Sequence, residues 1–154
     1  MKFLISKDEL THLLTNIQNV VAQKPTIPIL SNFLIEAQND ELVLTATDLT
    51  VGTRCHMPAK VLEEGATTLP AKRFYQLVRE LTAATIEVSA NTSDISEIVA
   101  DSSHFRLNGM NRNEFPDLPD LSDALQFSCT QGKLKEMFSR VSFAVAREEN
   151  HTYA

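Results

Sequence analysis

Residues 3–22 read FLISKDELTHLLTNIQNVVA, and residues 127–146 read FSCTQGKLKEMFSRVSFAVA. At an offset of 124 the two stretches share an apolar register: Phe3 with Phe127, Leu10 with Leu134, Leu13 with Met137, Leu14 with Phe138, Ile17 with Val141 and Val21 with Val145. Each reads as a short strand, an N-cap and an amphipathic helix. Apolar residues at 10, 13, 14, 17, 20 and 21 follow the i, i+3, i+4, i+7 spacing of one helical face. Ser6 and Thr130 align at the cap. Ser6-Lys7-Asp8-Glu9 has the S-x-x-E spacing with which a hydroxyl and a carboxylate satisfy orphaned backbone amides.

A shorter copy lies between them. TLPAKRFYQLVREL, residues 68–81, matches residues 4–17 at an offset of 64, so that Leu10, Leu13, Leu14 and Ile17 fall on Phe74, Leu77, Val78 and Leu81. Any two amphipathic helices can be slid into register, but three copies at near-equal spacing favour duplication. Strand-rich runs fill the intervals: Asn32–Ala37, Glu41–Thr47 and Val51–Met57, then Thr85–Ala90, Ile95–Ala100 and His104–Gly109. Asn, Asp and Ser clusters between them suit hairpin turns. The organisation predicted is β-α-β-β-β twice, followed by a third start.

Residues 113–124, NEFPDLPDLSDA, combine two prolines with four acidic side chains and read as a domain-boundary linker. Residues 1–121 are then a first two-half domain, and residues 122–154 a linker with the truncated start of a second, from which the strand meander is missing.

The whole chain has 154 residues, 43% of them hydrophobic and 22% charged, with 14 basic against 20 acidic side chains and a formal net charge of −6. Such a composition can bury a core, and its negative balance argues against a free-standing cationic nucleic-acid binder, whose affinity would come from neutralising phosphates. Cys55 and Cys129 are far apart and neither belongs to a C-x-x-C pair, which excludes a disulfide framework or cysteine zinc cluster and points to a reducing, cytoplasmic setting. Asp8 and Glu9 interrupt the N-terminus before any long apolar run, and no stretch approaches the roughly 18 apolar residues of a spanning helix. Neither a signal peptide nor a membrane partner is expected.

Catalytic signals are weak. The glycines at 52, 65, 109 and 132 form no phosphate-cradling loop, and the histidines at 12, 56, 104 and 151 lack metal-ligand spacing, so neither cofactor nor metal is expected. Cys55 beside His56 resembles a thiol and base pair, but neighbouring strand residues face opposite ways. Asp48, in TATDLT, reads as a turn residue whose carboxylate accepts local backbone amides. No enzyme activity is expected.

The basic residues are more informative. At about 100° per residue, Phe74, Leu77, Val78 and Leu81 occupy one face of the second helix, while Lys72, Gln76 and Arg79 occupy the other with Arg73 at its edge. The first helix presents His12, Thr15, Asn16 and Asn19 outward, and the third presents Lys133, Lys135, Arg140 and Phe143, with Glu136 intermixed. Weakly basic helix faces on an acidic protein suit loose, sequence-independent contact with a phosphate backbone. The alternative is a β-rich protein-interaction module whose basic stripe serves only solubility.

Four segments carry a family resemblance: KPTIPIL at 24–30, TATDL at 45–49, GATTLPAKRF at 65–74 and FPDLP at 115–119. In order and spacing they resemble the N-terminal domain of the bacterial DNA polymerase III beta subunit, the sliding clamp. The resemblance implies an α+β DNA clamp fold, of duplicated β-α-β-β-β units with two helices packed on antiparallel sheets. It also implies a processivity factor that encircles double-stranded DNA as a head-to-tail homodimer, its helices lining the hole, and serves the replicative polymerase and clamp loader. A ring holds DNA by topology, so an acidic protein with a modestly basic interior is consistent with it. By position the resemblance assigns DNA contact to Lys24, Lys72, Arg73 and Arg147; Arg79 is added from the helical projection. Phe105 and Leu107 fall on edge-strand residues that pack against the partner subunit, and their other reading is ordinary sheet core. The family's peptide pocket lies between its second and third domains, largely outside these residues.

Overall fold

Ser6 closes one element and opens the next. In the computed structural model of the chain, which describes residues 1–21, 25–119 and 125–145, strand β1 (Lys2–Ser6) passes directly into helix α1 (Lys7–Ile17). The Ser6 Oγ accepts the Glu9 N–H at 3.3 Å, one half of the expected capping box. The other half differs: the Glu9 carboxylate accepts the Ser6 hydroxyl at 2.6 Å, not the backbone N–H. Ser6 is still a strand residue, paired with Thr85, and strand amides lie in the plane of the sheet. Helix α1 buries Leu10, Leu13, Leu14 and Ile17, and the apolar period runs on through a 3-10 turn at Gln18–Val20 to the buried Val21.

Two meanders follow the predicted runs to within a residue. The first comprises β2 (Asn32–Gln38), β3 (Glu41–Thr47) and β4 (Gly52–Pro58). Asn39 and Asp40, with φ of 51° and 55°, make the two-residue turn between β2 and β3, whose left-handed conformation matches strand twist and is tolerated best by such residues. The sequence reading lacks β5 (Lys60–Glu63), four residues whose only ladder is with β1. Next come β6 (Gly65–Pro70) and helix α2 (Ala71–Glu80), then the second meander, β7 (Thr85–Ala90), β8 (Ile95–Ala100) and β9 (Ser103–Asn108). Leu81, expected within the second helix, is its extended C-cap and is buried.

The strands form a five-stranded sheet, β5-β1-β7-β8-β9, and a four-stranded sheet, β4-β3-β2-β6, with every pairing antiparallel. The first strand of each repeat therefore leaves its own meander for the other one. β1 joins β7 with Lys2 opposite Ser89 and Ser6 opposite Thr85, and β6 joins β2 with Asn32 opposite Pro70. Both helices and both sheets contribute to one core, in which Phe3, Leu14, Phe33, Phe74, Ile86 and Ile98 are fully buried. Strand alternation on β2 sends Phe33, Ile35 and Ala37 into that core and Leu34 to the opposite face, where it meets Ile29, Leu30 and Phe115.

Phe115 is buried with Leu34 on the outer face of the four-stranded sheet, so the start of the 113–124 stretch, read as linker, packs on that sheet, and residues 120–124 lie outside the described residues. The prolines and acids concealed one buried aromatic side chain. Close by, β6 is tied to the second meander. Thr68 Oγ1 donates to the Met110 carbonyl at 2.9 Å and accepts from Asn32 Nδ2 at 2.9 Å, while Thr67 Oγ1 donates to Asp94 Oδ1 at 2.8 Å. Gly109 N–H donates to the Asp94 carbonyl at 2.7 Å, and a Cβ at Gly109 would collide with the Thr68 carbonyl. Glycine is required there by close approach, not by turn geometry.

The chain divides into two compact units, Met1–Leu118 and Pro119–Ala154. In the second, α3 (Gln131–Val141) and a 3-10 turn at Ser142–Ala144 have the predicted helical register. The strand expected before α3 is not formed: residues 125–130 have no regular structure. A strand requires a ladder partner, and the described residues of this unit contain no other strand. Thr130 is the N-cap of α3 but makes no side-chain capping bond.

Candidate nucleic-acid interface

Helix α2 has two chemically distinct sides. Ala71, Phe74 and Val78 are buried against the sheets, and this burial turns Lys72, Arg73, Gln76 and Arg79 to solvent. Helix α1 packs alongside, exposing the polar His12, Thr15 and Asn16, and the 3-10 turn after it exposes Asn19. Thr15 Oγ1 lies 3.5 Å from the Tyr75 hydroxyl. The Arg79 guanidinium lies over the Tyr75 ring, 5.6 Å from its centroid. The Thr15 hydrogen bond holds the Tyr75 phenol below its usual pKa, against an opposing desolvation, with smaller contributions in the same direction from Gln18 and from the charge of Arg79.

Between the first turns of α2 and the 3-10 turn that follows α1 lies a groove of about 430 Å³, bordered by Gln18, Ser31, Lys72, Arg73, Gln76 and Arg79 with Tyr75 in its wall. Among the described residues no carboxylate lines it, although acidic residues outnumber basic ones in the chain. Elsewhere several cations are neutralised: Lys2 pairs with Glu87 at 2.9 Å, Arg106 with Glu97 at 3.4 Å and Arg112 with Glu36 at 3.4 Å. Lys72, Arg73 and Arg79 form no ion pair among the described residues. The helical projection therefore locates a cationic surface whose charges remain available. Lys24 and Arg147 lie outside the described residues. Tyr75 was missed from sequence, although its i, i+4 spacing from Arg79 was the available signal.

Phe105 and Leu107 share one face of β9, which is an edge of the five-stranded sheet. Leu107 is half-buried and packs on the core, whereas Phe105 is 38% exposed. Phe105 borders a hollow of about 440 Å³ whose wall includes Leu77, Leu81, Ala83 and Ala100.

The weak catalytic candidates take structural positions. The Asp48 carboxylate accepts the Thr50 and Val51 N–H groups at 2.9 and 2.7 Å, and these bonds, that of Val51 foremost, hold its pKa below the usual value. Cys55 is half-buried against the core, while His56 on the opposite face lies 3.2 Å from Glu41. Among the described residues there is no group of three or more His, Cys, Asp or Glu placed to hold a metal, and no helix long and apolar enough to cross a membrane.

Duplicated halves that exchange their first strands, with paired helices on the sheets, define the α+β DNA clamp fold. The structure is similar to the DNA polymerase sliding clamp of Bacillus subtilis, with a TM-score of 0.91 at 27% identity over 98% of this chain and 42% of that one. It is similarly close to the Pseudomonas aeruginosa sliding clamp bound to griselimycin, with a TM-score of 0.90 at 30% identity over 97% of this chain and 41% of that one.

The chain belongs to the DNA polymerase III beta subunit family, whose N-terminal domain matches residues 1–119. The beta sliding clamp of Chlamydia muridarum is 55% identical over 150 residues, 97% of this chain and 41% of that protein. That of Chlamydia trachomatis is 54% identical, covering 97% of this chain and 36% of the relative. The chain thus spans about two fifths of the length of the curated relatives it matches.

Proposed function

We propose that this chain supplies the N-terminal unit of a non-catalytic processivity clamp, a ring-shaped homodimer that encircles duplex DNA and tethers the replicative polymerase after placement by a clamp loader in the cytoplasm. Residues 1–121 are its first clamp domain, and residues 122–154 are a linker and the start of the next. The observation that carries this reading is the groove beside α2 on a clamp fold, lined by Lys72, Arg73 and Arg79 with no carboxylate and no ion pair to them among the described residues. Lys24 and Arg147 extend the DNA-contacting set. Phe105 and Leu107 form the subunit contact at the free β9 edge, a role favoured by the exposure of Phe105 beside a hollow of mixed polarity.

An acidic ring with a basic lining would repel DNA from its outer surface while tolerating it within, giving mobile retention and weak static affinity. Lys72→Ala with Arg73→Ala is expected to weaken duplex binding and to lower the magnitude of the log-affinity against log-salt slope by about 0.9 for each phosphate contact removed. An unchanged slope removes the pair from the interface. In the ring-forming protein, retention on nicked circular DNA is expected to vanish on linearisation; equal retention on both forms would rule out encirclement.

A further inference from the structure

Tyr75 sits where the two helices meet. Its ring lies four residues before Arg79 on α2, so the two side chains share a helical face, and the guanidinium rests over the ring at 5.6 Å from its centroid. Its hydroxyl lies 3.5 Å from Thr15 of α1, whose own Oγ1 donates to the Thr11 carbonyl at 2.7 Å. The ring is half-buried against the main core, and both it and Arg79 line the basic groove. A long exposed arginine usually samples many rotamers, and ordering it on a phosphate costs conformational entropy. Here an aromatic platform anchored from the neighbouring helix restricts that freedom in advance.

We propose that Tyr75 is a positioning residue, which holds the Arg79 guanidinium at the rim of the groove for contact with a DNA phosphate. The inference rests on the clamp reading. Tyr75 touches no phosphate itself; the ring holds the cation beside the groove that both residues line. This also accounts for an aromatic residue on the exposed flank of a helix whose core contacts are Ala71, Phe74 and Val78.

The test measures binding of the full chain to a short duplex over a salt series. Tyr75→Leu is expected to weaken binding about two- to fivefold while leaving the salt slope nearly unchanged, because no charge is removed. Tyr75→Phe keeps the ring face and should restore most of the affinity that Tyr75→Leu loses, although the hydroxyl's contact with Thr15 is gone. Arg79→Ala should lower both affinity and slope, and adding Tyr75→Leu to it should cost nothing more, the coupling expected of residues that act together. Thermal unfolding checks that each variant is folded; if Tyr75→Leu is not, Tyr75→Met replaces it in the cycle.

A Tyr75→Leu loss that persists in the Arg79→Ala background, or one that Phe fails to restore, overturns the positioning role. Loss on Lys72→Ala with Arg73→Ala but none on Arg79→Ala also overturns it, while leaving the DNA face intact. No loss with any of these variants overturns the DNA face itself.

Discussion

Helices α1 and α3 carry the same apolar register, yet one lies in a core and the other does not. Leu10, Leu13, Leu14 and Ile17 of α1 are buried, whereas their counterparts Leu134, Met137, Phe138 and Val141 are half-buried or exposed, with Phe138 63% accessible. Phe127, Phe143 and Val145 beside α3 are exposed as well. Amphipathic spacing establishes where a helix can form and which side it offers. Burial depends on strands that meet that side, and α1 has two sheets available where the described residues of the second unit have none. The strand preceding each helix behaves in the same way: β1 is held between β5 and β7, and residues 125–130, without such neighbours, stay irregular.

The sharpest way to break this comparison is to truncate the aligned side chains. Leu14→Ala should destabilise the first unit by about 3 kcal/mol, the transfer free energy of the lost methyl groups plus the cavity left in a close-packed core. Phe138→Ala, at the matching position of α3, should change its stability by less than about 0.5 kcal/mol. Urea unfolding of the full chain, read by circular dichroism, distinguishes them; equal losses would mean that the face of α3 is covered in solution.

The caps sharpen the contrast on a smaller scale. Ser6→Ala removes a hydroxyl that accepts the Glu9 N–H and should cost about 1 kcal/mol, whereas Thr130→Ala removes no side-chain capping bond and should cost close to nothing. The same unfolding experiment measures both. A loss at Thr130 matching that at Ser6 would show that α3 acquires its cap in solution.

The smallest effect lies in the turn between β3 and β4, part of the meander that covers α1. Asp48 has a lowered pKa in the folded state through the Val51 and Thr50 amides. A depressed carboxylate pKa contributes stability that is fully present above the unfolded value of about 3.9 and is lost as pH falls through the folded one. The stability difference between the wild type and Asp48→Asn should therefore be flat near neutral pH and shrink on acidification below that value. A difference that stayed constant through this range would show that the carboxylate charge contributes nothing to the turn.

Much of the fold was legible because its signals are local. The S-x-x-E cap, the Asn39-Asp40 turn, the Asp48 turn and the two amphipathic faces each depend on residues within a few positions of one another, as do the outward directions of Lys72, Arg73 and Arg79. Tyr75 escaped notice because an aromatic residue on a helix reads as core until the neighbouring helix and the arginine above it are located. β5 escaped because four residues of mixed polarity, KVLE, become a strand only when β1 offers its edge. Phe115 escaped because the surrounding prolines and acids suggested solvent.

The repeat, the helices and their faces, the turns and the placement of basic residues on one side of the second helix are local properties, since they follow from dihedral preferences and i, i+4 spacing. Long-range pairing and packing settled the rest: that the halves exchange their first strands, that α2 and the turn after α1 border a groove with no carboxylate among its described lining residues, and that the apolar side of α3 stays largely uncovered. Those outcomes depend on ladders such as Lys2 with Ser89 and Asn32 with Pro70, whose partners are remote in the chain. Pairing of that kind is selected by the burial of whole faces, which no local window of sequence contains.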